Sequence, residues 1–224
     1  MKRLRLAVIG CGFWSQYQTA AWRELAENVE IVAVCDKHLE KARSVADHFN
    51  ILNYYVDPDE LFAKERLDFV DIITDPDSHA PLVFQCADQG VDVICQKPMA
   101  PTFELAEAMV KHCQERGVSF FIHENFRWQQ PMRALKMRLD QGEIGVPFKA
   151  NIKFCSSFPV FDNQPLLAQL KQFILTDVGT HILDLSRFLF GEVSTLYCQT
   201  QRIHPDIKGE DVANVFLRHE NGVH

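Results

Sequence analysis

Through the first half of the chain, short apolar runs alternate with helical segments, and this alternation restricts what the chain can fold into. The runs lie at 6–9, 29–35, 53–56, 67–73, 91–95 and 118–122, and most are rich in Val, Ile, Leu or Phe. Helical signals fill the intervals 14–26, 37–49, 57–63, 81–89 and 102–116. Asp57 before Pro58 supplies a cap and a first-turn proline, Thr102 caps the last helix, and Gly90 and Gly117 stop two of them. Nearly continuous apolar strands between helices belong to a parallel sheet covered on both faces. The fold class read from this pattern is α/β, with a first domain at 1–123. In such a sheet ligands sit beyond the carboxyl ends of the strands, which makes the loops 10–15, 74–79 and 96–98 site candidates by position.

The first of these loops carries Gly10-Cys11-Gly12 between a strand and a helix. Gly10 permits a sharp turn, and Gly12 has no Cβ to hold a pyrophosphate away from the backbone. The helix N-terminus behind them offers free N–H groups and partial positive charge. The third position of such a fingerprint, usually Gly or Ala, is Ser15. A glycine pair alone also describes a plain turn. Asp36, at the tip of the second strand and roughly 20 residues further on, adds the context of a Rossmann dinucleotide site. A carboxylate there accepts hydrogen bonds from ribose hydroxyls and repels a 2′-phosphate. Asp36 equally suits the N-cap of 37–49, and both roles can hold together. Lys37 and His38 follow directly and can receive a phosphate, so NAD is preferred and NADP stays admissible.

Composition narrows the partners. Thirty acidic residues against 23 basic ones give a net charge of −7, the wrong sign for nucleic acid or an anionic membrane surface. Neither a signal-peptide pattern nor an apolar stretch near ~18 residues is present, and a cytoplasmic location is expected. The seven cysteines are scattered without a CxxC pair, which fits a reducing compartment and neither a metal site nor a disulfide scaffold. Cys11, inside the glycine turn, is either a reactive thiol or a small residue tolerated there.

Lys97, ahead of Pro98, is either a cation aimed at a substrate or an ordinary solvated lysine. His79 either serves the site or hydrogen-bonds locally. Beyond 122 the pattern changes. A polar segment at 123–127 leads to a helix at 131–141, and Gly145-Val146-Pro147 turns into an expected strand at 148–158. A strongly apolar helix at 173–190 ends at Gly191, and strand-like runs follow at 193–202 and 211–218. This second domain, 124–224, reads as α+β on an antiparallel or mixed sheet. On the long helix Asp177 and His181 stand four apart and share a face, so the carboxylate can orient the imidazole as a proton acceptor. A capping Asp and a satisfied core His give the same spacing. Gly179 between them marks a close approach of backbone or ligand.

With these residues in place, nearly the whole chain resembles the Gfo/Idh/MocA family of NAD(P)-dependent oxidoreductases, which act mostly on sugars, inositols and related polyols. Gly10-Cys11-Gly12, with Phe13 and Trp14 behind it, is similar to the family's cofactor turn, and Asp36 with Lys37 sits at the ribose position. Thr74-Asp75-Pro76 to His79 resembles the loop beside the adenine and nicotinamide. Gln96-Lys97-Pro98 resembles a Glu-Lys-Pro motif, and Asn125-x-Arg127 lies where an Arg often supports the site. Gly142-Glu143-Ile144-Gly145 is similar to the turn into an open, mostly antiparallel C-terminal sheet. Asp177-Val178-Gly179-Thr180-His181 is similar to an Asp-x-Gly-x-His helix motif.

The resemblance implies that Lys97 hydrogen-bonds the reacting hydroxyl and stabilises charge on its oxygen. It implies that His181 takes the hydroxyl proton while hydride passes to the nicotinamide, and that Asp177 binds a neighbouring hydroxyl or orients the pair. Asn125 and Arg127 join the substrate side. The partners implied are a small polyol and a second copy bound through the C-terminal sheet, with no metal. Two departures stand out. Gln96 replaces the motif's Glu, and the chain ends at His224 where members usually continue the sheet, so an incomplete sheet with an exposed edge is expected. Both favour the alternative of a catalytically silent NAD(P)-binding sensor or regulator.

Overall fold

In the computed structural model, which describes residues 2–224, the opening apolar run becomes β1 (Leu4–Ile9), buried from Leu6 onward. It is followed by α1 (Ser15–Glu24), β2 (Val29–Cys35), α2 (Leu39–Phe49), β3 (Asn53–Tyr55), α3 (Pro58–Lys64) and β4 (Phe69–Ile72). Then come α4 (Pro76–Asp88), β5 (Asp92–Cys95), α5 (Phe103–Arg116) and β6 (Phe120–Ile122). The six strands pair in parallel in the order β3-β2-β1-β4-β5-β6, so the order reverses at β1, where such sheets open a crevice. Side chains of β1 alternate between the two layers. Ala7 and Ile9 pack in a cluster with Val83 and Met109, whereas Leu6 and Val8 pack with Ala42 and Ala46.

Two boundaries differ from the sequence pattern and both bear on the site. α4 begins at Pro76, not at 81, because a proline at the first helical position has its φ set for the helix and lacks only an N–H that would be unpaired there. His79 is therefore helical, and Pro81 lies inside the helix. α2 begins at Leu39 with His38 at its N-cap position, so Asp36 is not the helix cap. The described residues divide into two compact units, 2–123 and 124–224.

The second unit opens with one 3-10 turn, Phe126–Trp128, then α6 (Gln130–Asp140) and the short α7 (Val160–Asn163). The long apolar helix is not continuous α-helix. A π-helical turn, Leu175–Gly179, runs into α8 (Thr180–Phe190). β7 (Val193–Gln201) and β8 (Val212–His219) form an antiparallel pair, with Val193 opposite His219 and Gln201 opposite Val212. The strand expected at 148–158 does not form. A strand needs a ladder, and the backbone bonds of this segment to a distant stretch lie at its start, where Ala150 donates to the His224 carbonyl and His224 donates to that of Phe148. Among the described residues no helix is long and apolar enough to cross a membrane.

Candidate active site

The glycine turn at the end of β1 is shaped by its neighbours. Gly10 has φ +103°, and a Cβ there would lie 2.4 Å from the Ile73 carbonyl oxygen, so only glycine fits against the end of β4. Gly12 has the opposite surroundings: a Cβ would meet nothing within 4 Å. The space above it is open at the N-terminus of α1. Ser15, wholly buried, donates its hydroxyl to the Gly12 carbonyl at 2.7 Å, which accounts for a polar residue where the fingerprint has Gly or Ala. Phe13 meets Trp14 and Tyr17 edge to face, Trp14 and Tyr17 are tilted on each other, the centroids lie 5.4 to 5.6 Å apart, and Trp14 and Tyr17 are about half exposed.

Asp36 is built into this turn. One carboxylate oxygen accepts from the Cys11 N–H at 2.8 Å and the other from the His38 N–H at 2.8 Å. The carboxylate is thus fixed at the mouth of the crevice with lone pairs remaining on both oxygens. Lys37 beside it is exposed. Burial, with Asp36 close by, pushes the Cys11 thiol up to about 12, so Cys11 is a small apolar filler and not a nucleophile.

Across the crevice, the Thr74 hydroxyl is buried without a hydrogen-bond partner, and Asp75 is exposed at the start of α4. His79 does not reach the crevice. It is wholly buried, with Nδ1 3.0 Å from the Pro98 carbonyl and Nε2 3.2 Å from that of Thr74. Desolvation lowers its pKa against the pull of those carbonyls. Its place is to tie the loop after β4 to the loop after β5, the local role weighed for it from sequence.

That second loop holds Gln96 and Lys97, with a cis bond between Lys97 and Pro98. The Gln96 side chain accepts from the Lys97 backbone N–H at 2.9 Å and donates to Gln18 at 2.9 Å. Gln18 donates in turn to Asp71, in the middle of β4, which also accepts from the Trp22 indole at 2.7 Å. Gln18, Trp22 and Asp71 were not among the residues expected at the site. A signal for one existed: a lone Asp inside a buried apolar run must find donors.

The second unit builds its own cluster. His181, at the start of α8, is nearly buried, and its Nδ1 lies 2.6 Å from an oxygen of Glu124. Phe126 stacks on the imidazole at 4.2 Å and 7°. A carboxylate that orients His181 is therefore that of Glu124. The two share no spacing pattern, 57 residues apart, and the only sign in the sequence is that Glu124 lies in the polar segment 123–127 that follows a strand end. Asp177 falls in the π-helical turn, one element before the helix that carries His181. Glu210 holds that turn by accepting from the N–H groups of Ile174 and Leu175. A Cβ on Gly179 would make only ordinary contacts, at 3.4 Å, so no close approach requires glycine there.

Arg127 is committed to structure. It makes a two-pronged contact with Asp184 and lies over the Phe188 ring at 5.4 Å, which fastens the Phe126–Trp128 turn to α8. Asn125 is exposed at the head of that turn.

Residues 4–124 match the family model described as "Oxidoreductase family, NAD-binding Rossmann fold", and residues 132–224 match that of the GFO/IDH/MocA C-terminal domain. The chain is 47% identical to a D-apiose dehydrogenase of Paraburkholderia graminis, over 100% of its own length and 59% of that protein's. With a D-apiose dehydrogenase of Rhizobium rhizogenes the identity is 45%, covering 99% and 64%. A crystal structure of an oxidoreductase from Agrobacterium radiobacter, in complex with NAD+, L-tartaric acid and magnesium, superposes with a TM-score of 0.96 at 44% identity. It covers 99% of this chain and 65% of that one. The chain thus spans about three fifths of the length of the curated relatives it matches.

Proposed function

Because this chain belongs to the Gfo/Idh/MocA oxidoreductase family, we propose that it is an NAD(P)-dependent dehydrogenase or reductase of a sugar or related polyol. The observation that carries the reading is the cradle at the end of β1: open space at Gly12, the Asp36 carboxylate tied to the Cys11 amide, and the unpartnered Thr74 hydroxyl opposite. These residues fit a dinucleotide. Gly12 and the α1 N-terminus take the pyrophosphate, Asp36 the ribose hydroxyls, and Phe13, Trp14, Thr74 and Asp75 border it. Asp36 favours NAD over NADP, with Lys37 as the group that would accept a 2′-phosphate. When bound, the cofactor supplies a hydride acceptor or donor at the nicotinamide ring.

The remaining steps belong to side chains. Lys97 donates to the reacting oxygen and stabilises the negative charge that grows there. His181 is the general base. With Nδ1 directed at Glu124, its proton sits there, which leaves Nε2 to accept the hydroxyl proton. Asp177 binds a neighbouring hydroxyl, and Asn125 contributes a further contact to the substrate. Arg127 supports His181 through Phe126 and does not bind substrate. Gln96, the residue that favours a silent protein, is fully engaged beneath Lys97. D-apiose, named in the two relatives, is the first sugar to try, and the reading includes a homo-oligomer working in the cytoplasm.

The test is a panel of sugars and inositols, D-apiose included, with NAD+ and NADP+, read by reduced-nicotinamide absorbance. Turnover by wild type and none by Lys97→Ala, with NAD+ binding kept, is the expected result. Turnover surviving in Lys97→Ala removes the assignment, and NAD+ binding with no turnover on any substrate supports the silent sensor.

A further inference from the structure

The hydrogen bonds beneath Lys97 run in one direction. A backbone N–H can only donate, so the Lys97 amide fixes the Gln96 oxygen toward itself and the Gln96 nitrogen toward Gln18. Gln18 must then turn its oxygen to Gln96 and its nitrogen to the other side. There it meets Asp71, 3.3 and 3.5 Å from the two carboxylate oxygens, and Nδ1 of His123. Turning either amide over would set oxygen against oxygen. The chain of donors ends on Asp71, which is wholly buried, receives the Trp22 indole N–H, and pairs with no cation among the described residues.

We propose that Asp71 is a positioning residue for Lys97, acting through Gln18 and Gln96, and that it requires glutamine at position 96. The second half follows from counting donors. Gln18 has one donor end and one acceptor end. A Glu at 96 would place a carboxylate at each end of Gln18, and one of the two would have to hold a proton. The role assigned to Lys97 rests on the dehydrogenase reading above, while the relay itself does not.

Asp71 comes with its own reporter. Burial raises its carboxyl to about 7, opposed by the Trp22 hydrogen bond. The titratable groups facing it are Cys95 on β5, whose thiol burial holds protonated, and His123 through Gln18. The chain has three tryptophans, so its indole N–H signals are few. In 15N-labelled wild-type chain, the Trp22 indole and Lys97 amide resonances are expected to shift across neutrality with a single midpoint. Gln96→Met should leave Trp22 titrating and make Lys97 flat. Gln96→Glu should raise the Trp22 midpoint by about one pH unit or more.

A Lys97 amide that ignores the Trp22 midpoint in wild type overturns the relay, and this needs no variant to fold. A Lys97 amide that still follows Trp22 in Gln96→Met overturns it too. On a substrate that wild type turns over, Asp71→Asn should lower kcat roughly tenfold, with NAD+ affinity within about twofold; an unchanged kcat overturns the positioning role. If wild type turns over nothing, the dehydrogenase reading falls and the resonances still decide the relay.

Discussion

One oxygen of Glu124 serves both His181 and the loop that supports it: it lies 2.6 Å from the imidazole Nδ1 and accepts the Phe126 N–H at 3.0 Å. Phe126 in turn stacks on the imidazole. Glu124 therefore sets the tautomer and the plane of the ring together. Glu124→Gln keeps an acceptor but loses the charge that steadies a protonated imidazole. Glu124→Ala loses both. Expected falls in kcat/KM are roughly 10-fold for the first and roughly 100-fold for the second, at or below the lower end of what general-base catalysis contributes because the base itself is kept. NAD+ affinity, measured by calorimetry, should hold within about twofold in both. Equal falls in the two variants would assign Glu124 to charge alone.

The two glycines of the turn should separate stability from binding. Gly10→Ala forces a Cβ to 2.4 Å from the Ile73 carbonyl oxygen at a φ that alanine resists, with an expected cost of about 3 kcal/mol in urea unfolding. Gly12→Ala meets no protein atom, and its stability should change by less than about 1 kcal/mol. Its NAD+ affinity should nonetheless drop roughly tenfold or more, because the added methyl occupies the space given to the pyrophosphate. Unchanged NAD+ binding in Gly12→Ala would place the phosphates elsewhere.

Much of this was legible in the chain because the signals are local. β2 and α5 were read to within a residue, since Val29–Cys35 is continuous and α5 has Thr102 and Gly117 at its ends. Gly10, Gly12 and Asp36 stand out because a phosphate turn would need fixed residue types at fixed spacing, and the fold brings Asp36 onto the Cys11 amide between the two glycines. What was not legible depends on long-range pairing. Glu124 meets His181 only through the fold, and the π-helical turn at Leu175–Gly179 leaves no mark on the apolar periodicity of 173–190. The 148–158 segment has strand composition but no ladder partner. His79, read as a candidate at the cofactor, is drawn into the interior by an α4 that starts five residues earlier than its pattern.

Arg127 and Asp184 make a geometric pair that lysine cannot copy, because two N–H groups meet two oxygens while the guanidinium plane covers Phe188. Arg127→Lys should cost about 1 kcal/mol of stability, modest because the pair is partly exposed. Its larger effect should be on turnover, through a looser Phe126–Trp128 turn and a less ordered His181, with kcat down roughly fivefold to tenfold. Asp184→Asn should match it. A rise in KM with kcat unchanged would instead return Arg127 to the substrate.

Asp71 should leave a signature in stability with a definite sign. Its carboxyl goes from 3.8 in the open chain to about 7 when folded, so the folded state holds a proton that the unfolded state releases. Stability is then lost as pH rises from 3.8 through about 7, and stays lost above that. His79 acts oppositely. Its pKa is lowered by burial, so stability is lost as pH falls below 6.5 toward its folded value. Asp71→Asn removes only the first effect. The variant should be more stable than wild type by roughly 2–4 kcal/mol above neutrality, with the gap closing as pH falls and gone only at about pH 3.8 or below. Its stability between these limits should rise more steeply with pH, because the His79 contribution is no longer opposed. Thermal or urea unfolding across that range measures both. A variant more stable yet slower in turnover would mark Asp71 as a residue kept for the Lys97 loop at the expense of the fold.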